Sequence, residues 1–124
     1  MRWTVTCWLL GCVLLSSCKD HAPSPAEIAD RGWHAHDLVI TAGENAKSCA
    51  EAAIAMQRVY AEHKDEFVAA FDLERDKARL QEATDFIEAH EDRYGDLDTR
   101  LEALQDRCAK DANVQAVFQQ MATP

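Results

Sequence analysis

CAEAAIAMQRVYAEHKDEF, residues 49–67, places Cys49, Ala53, Met56, Tyr60, His63 and Phe67 at steps of four and three. That spacing lines up one face of an α-helix of 3.6 residues per turn. The stretch lies within residues 44–94, which contain neither glycine nor proline. A second register follows through Leu73, Leu80, Ala83, Ile87, His90 and Tyr94. Gly95 reads as a helix stop and Asp96 as the N-cap of a further helix carrying Leu97, Leu101, Leu104 and Cys108. Residues 110–113 break the phase, and Val114, Val117, Phe118 and Met121 make a last apolar turn or two. The expected fold is all-α, a small antiparallel three-helix bundle over residues 44–122.

Ahead of it, Ser24-Pro25-Ala26-Glu27 has the form of a capping box with proline at the first helical position. A short helix with Ile28 and Trp33 as its contacts is expected from there, weakened by Gly32. DLVITAG, residues 37–43, has a β-branched centre but no second strand to pair with. Residues 25–43 are therefore read as a short helix or packed extended segment.

Met1 and Arg2 precede WTVTCWLLGCVLL, residues 3–15, which carries no charge. Its 13 residues are too few to span a bilayer, which takes about 20. They suit the apolar core of a secretory leader. Leu15-Ser16-Ser17-Cys18 then resembles a bacterial lipobox: an aliphatic residue, two small ones and the cysteine. The resemblance implies cleavage after residue 17 and a covalent lipid on Cys18, with no other cofactor. It implies a membrane anchor through two or three acyl chains, each buried methylene contributing about 0.8 kcal/mol. Residues 18–24 would form the anchor and tether, and the first six of them reach about 20 Å when extended. The aspartate that retains enteric lipoproteins in the inner membrane directly follows the cysteine. Here Lys19 takes that place and Asp20 comes after it, which favours an outer-membrane address facing the periplasm.

Without residues 1–17 the chain has 107 residues, 22 acids and 12 Lys and Arg, a formal charge of −10. That length makes one small domain. Such a charge excludes a nucleic-acid binder, because phosphate contacts need clustered Lys and Arg. Of five cysteines, Cys7 and Cys12 leave with the leader and Cys18 takes lipid, so Cys49 and Cys108 remain and are expected to pair in an oxidising compartment. Two places offer the first fold-back: near Lys64, where EHKDE is wholly polar, or near Glu74, where DLERD is charged and the register slips. With turns near 64 and 95, the two cysteines come within about three residues of level, roughly 4.5 Å along the axis. With turns near 74 and 95, they are about 25 Å from level. A disulfide needs Cα atoms within about 7 Å, so pairing favours the turn near Lys64.

Few residues are arranged for chemistry. The two serines after the leader, Ser24 and Ser48, have no base at nucleophile spacing, and no phosphate-cradling glycine loop is present. The chain is expected not to be an enzyme. His63 and His90 sit on the apolar stripes as edge-of-core residues. His34-Ala35-His36-Asp37 beside Trp33 is the candidate metal site, for zinc or copper, if that segment is extended. Asp85, Glu88, Glu91, Asp92, Asp96 and Asp98 crowd the expected second turn, where they would be solvated, meet a basic partner or weakly hold divalent cations.

CAKDANVQAVF, residues 108–118, with one earlier cysteine at Cys49, resembles small helical lipoproteins of unassigned function. The likeness carries no activity with it. Anchor, short tether and lack of chemistry lead to a non-catalytic envelope module that binds a protein or has a structural role. The rival classes are an inhibitor, immunity or chaperone-like periplasmic protein, and a metal or small-ligand binder.

Overall fold

Ser24 opens the first helix as its sequence suggests: its hydroxyl accepts a hydrogen bond from the Glu27 backbone N–H at 3.1 Å, with Pro25 in the first turn. The computed structural model describes residues 21–124, so the leader 1–17 and Cys18 lie outside the described residues. Helix α1 runs over Pro25–Glu44, twenty residues in place of the short helix expected. Ile28, Gly32, Ala35, Val39 and Gly43 are buried along it at steps of three and four. The β-branched residues of 37–43 are helical because burial of Val39 and Ile40, both 0 % exposed, outweighs a propensity difference of well under 1 kcal/mol each.

The remaining elements are α2 (Cys49–Glu62), α3 (Lys64–Asp72), a 3₁₀ turn (Leu73–Arg75), α4 (Lys77–Ala89), α5 (Glu91–Tyr94), α6 (Leu97–Arg107) and α7 (Ala112–Ala122). The fold is all-helical, with no strand among the described residues, and Cys49 is bonded to Cys108. α1 is the hub, packed against α2, α3, α4 and α6. The N-terminal segment expected to stand outside a 44–122 bundle is thus its central rod.

The turn expected near Lys64 is not there. His63 interrupts the helical ladder, but α3 starts at the next residue and the chain keeps its direction. The contacts with α1 show this. A Cβ on Gly43 would fall 2.7 Å from Met56 Sδ, the His36 ring lies 4.6 Å from Phe67, and a Cβ on Gly32 would fall 3.0 Å from that of Ala70. The numbers descend on one side as they rise on the other, so α2 and α3 form one kinked rod antiparallel to α1. It reverses at Leu73–Arg75, the alternative near Glu74.

Gly95 does not reverse the chain either. It has right-handed helical angles, φ −63° and ψ −21°, and not the left-handed conformation of a stop. Asp96 makes no side-chain cap bond to the α6 backbone. Arg93 meets Asp30, Arg100 meets Asp37 and Arg107 meets the Gly43 carbonyl, at sequence separations of 63, 63 and 64. A constant separation means that α5 and α6 follow α1 in parallel, forming with α4, whose Ala83 packs with Ile28 and Ala29, a third, bent rod. This third rod is long enough to carry Cys108 back to the level of Cys49. The cysteines meet with the first reversal near Glu74 because Gly95 is a bend and not a second reversal.

The reversals share a mark. Ser48, Asp76 and Asp111 each accept hydrogen bonds from backbone N–H groups of the helix that follows. At His63, His90 and Asp96, where the chain only bends, no such cap bond forms. A side-chain cap replaces the backbone carbonyls that the first N–H groups lack, which lets a helix start without a preceding turn of helix.

α7 packs along α2, both starting beside the disulfide. The larger core lies at that end, centred on Val39, Ile40, Met56, Leu104 and Val114. A smaller one, of Ile28, Ala29, Leu73 and Ala83, closes the end near Ser24. Leu80, expected in the core, is 37 % exposed.

Candidate functional site

Trp33, half-buried in the middle of α1, faces Tyr94 of α5 with ring centroids 5.4 Å apart and planes tilted by 40°. It forms a wall of three adjoining clefts between α1 and the third rod.

The first cleft, of about 320 Å³, contains a charged ladder. Arg93 bonds Asp30 at 3.1 Å, and the Tyr94 hydroxyl donates to the same carboxylate. Arg100 reaches Asp37 at 2.8 Å, Glu44 at 2.7 Å and the Thr41 hydroxyl at 3.1 Å. The hydrogen bonds it donates to Glu44 and then Asp37 raise the Arg100 pKa, so it stays charged. Burial, and then the bond to Asp30, raises that of the Tyr94 hydroxyl, which leaves it a proton donor. Solvent-exposed pairs of this kind add little to stability. Their use is register: they hold the third rod against the hub. Their signal in the sequence, not used above, is that Asp30, Asp37 and Glu44 recur every seven residues, as do Arg93, Arg100 and Arg107. Two heptad-spaced rows of opposite charge mark helices that lie side by side.

His34 and His36, the candidate metal pair, point to different sides of α1. The segment is helical, so two residues separate them by about 200° around the axis. His34 is exposed at the rim of the first cleft. His36 turns inward, its Nδ1 donating to the Gly32 carbonyl at 2.8 Å and its ring over Phe67. Among the described residues no three His, Cys, Asp or Glu are grouped to hold a metal ion. His90 bonds the Phe86 carbonyl at 2.7 Å, and His63 lies 3.6 Å from Glu66.

Burial lowers the His36 pKa below the ordinary 6.5, against the opposing pull of the Gly32 carbonyl and Asp98. Unfolded His36 takes up its proton around 6.5 while the folded one resists it. The unfolded state therefore binds more protons as pH falls through 6.5, and stability declines until the folded pKa is passed. Melting temperatures measured across that window should fall towards acid, with a smaller fall in His36→Gln.

The acidic residues expected at one turn are divided by the bent rod. Asp96 lines the first cleft, while Glu88, Glu91 and Asp98 line a second of about 580 Å³ behind Trp33 and Tyr94. Separate from these, a shallow groove of about 700 Å³ follows the seam between α2 and α7. Ala50, Ala61, Ala116 and Ile54 line it, and Ile54 is 72 % exposed. No helix among the described residues is long and apolar enough to cross a membrane. Compared with known proteins, the chain matches no family model, no curated protein and no solved structure.

Proposed function

We propose that residues 18–124 are a non-catalytic, lipid-anchored module of the bacterial envelope that binds an amphipathic helix of another envelope protein in the α2–α7 groove. The observation that carries this is Ile54. It is a large apolar side chain, 72 % exposed, in a seam floored by alanines. Small residues let a partner helix approach the backbone closely, and Ile54 supplies an apolar anchor for it, the pattern of helix-in-groove recognition. Position supports the reading too. Lipid on Cys18 would hold the Ser24 end within about 20 Å of the membrane, and the twenty residues of α1 span about 30 Å from that end to the disulfide end. α2 and α7 both start near the disulfide end, so the groove begins at the end far from Ser24. The charged ladder supports a binding over a catalytic role, since its arginines are engaged in holding two rods in register.

A photo-cross-linking residue at Ile54 in the anchored protein tests this in intact cells, with Glu82 on α4 as the exposed control and Cys18→Ala as the unanchored one. One protein adduct should form from position 54 and not from 82, and it should weaken without the anchor. Ile54→Glu should abolish binding of the identified partner while changing stability by less than about 0.5 kcal/mol. Equal adducts from both positions, or none from 54, would overturn the groove. Suppressed aggregation of many clients would move the protein to the chaperone class, and protection against one enzyme or toxin to the inhibitor or immunity class.

A further inference from the structure

The second cleft pairs an aromatic corner with unneutralised carboxylates. Trp33 and Tyr94 form the corner, Ile87 adds an apolar side, and Glu88, Glu91 and Asp98 surround it. No Lys, Arg or His lines the cleft, and among the described residues none of its three acids lies within 4.0 Å of a basic nitrogen. The first cleft, across the Trp33–Tyr94 contact, differs in that its Asp30 and Asp37 have arginine partners. We propose that the second cleft binds an organic cation, an alkylammonium or guanidinium group with a short apolar body.

Three features select that chemistry. The faces of indole and phenol rings carry negative potential and attract cations lying over them, tryptophan most strongly. Tyr94 already has Arg93 within 5.8 Å of its ring centroid, and its hydroxyl is tied to Asp30, so the ring is held in place before a ligand arrives. The carboxylates supply the charge that rings alone lack. They are not grouped as a metal site, and rings in place of oxygen ligands disfavour a hard divalent ion. The volume of about 580 Å³ is that of a small-ligand pocket. The chain's net negative charge draws cations towards it.

Trp33 is the sole tryptophan of residues 18–124, the others being Trp3 and Trp8. Its fluorescence reports from the cleft itself, and a Trp33→Phe protein titrated in parallel isolates that signal. The protein purified from membranes in detergent is titrated with benzyltrimethylammonium, with benzyl alcohol as the neutral comparator. A saturable change with the cation alone is expected, weaker as salt is raised. The exposed pair Glu91→Gln with Asp98→Asn should weaken it by on the order of tenfold, with the fold checked by an unchanged melt. No saturable change, an equal response to benzyl alcohol, or undiminished binding in the double variant would overturn the proposal. A short peptide that carries a free lysine ammonium and is capped only at its N-terminus, binding more tightly than benzyltrimethylammonium, would assign the cation to a partner's side chain. The reverse order would assign it to a free small ammonium compound.

Discussion

Replacing Cys49 with serine should lower the melting temperature by roughly 15–30 °C. The Cys49–Cys108 bond closes a loop of 59 residues, with Cα atoms 5.6 Å apart. A link of that span removes chain entropy from the unfolded state equivalent to about 4 kcal/mol, and each kcal/mol moves the midpoint of a domain this size by about 4–8 °C. The bond also joins the first residue of α2 to the end of α6, at the end of the molecule where α7 begins. Cys49 is the better of the two positions to change. It is half-buried, whereas Cys108 is 2 % exposed, and serine there would add a buried hydroxyl to the lost link. Thermal melts of the variant and of the reduced parent should coincide. A parent melt unchanged by reductant would show that the bond does not hold the fold.

Phe67→Ala should cost about 3–5 kcal/mol in urea unfolding, the range for deleting a buried aromatic ring. Phe67 is 2 % exposed, just past the His63 kink, with Tyr60 at 5.1 Å and His36 at 4.6 Å between ring centroids. With Ala70 against Gly32, it packs α3 onto α1 once the helical ladder has been interrupted. Removing the ring also lets water towards His36 and relieves the burial that holds its pKa down. The loss of stability on passing below the ordinary histidine value of 6.5 should therefore shrink in the variant. A cost under about 1 kcal/mol would mean that the kinked rod does not depend on this contact.

Much of the helical content can be read from residue spacing. Met56, Tyr60 and Phe67 are buried on one face, as are Val114, Val117, Phe118 and Met121 on another, and the Ser24 cap forms. What spacing does not disclose is the direction of the chain after a break. His63, Gly95 and Asp76 all interrupt a pattern, and only Asp76 stands at a reversal. The available clue was chemical. Ser48 with Glu51 three residues on is a capping box inside the glycine-free stretch, and Asp76 and Asp111 are cap residues at the other two reversals. The charged ladder was legible as two sets of heptad-spaced residues. The Trp33–Tyr94 corner was not, because those residues are 61 positions apart and meet only through the register of two rods.

From its residues alone this protein is all-helical, helical on particular faces, capped at Ser24 and supplied with two cysteines able to pair. Periodicity, cap chemistry and composition are local properties, and they act whatever the rest of the chain does. The tertiary structure decided that α1 is the hub, that His63 and Gly95 are bends, and that His34 and His36 point apart. Each of those choices separates conformations whose local energies differ by about 1 kcal/mol or less. Burying side chains such as Val39, Met56 and Phe67 contributes about 1.5–3 kcal/mol apiece, so packing between distant segments settles them.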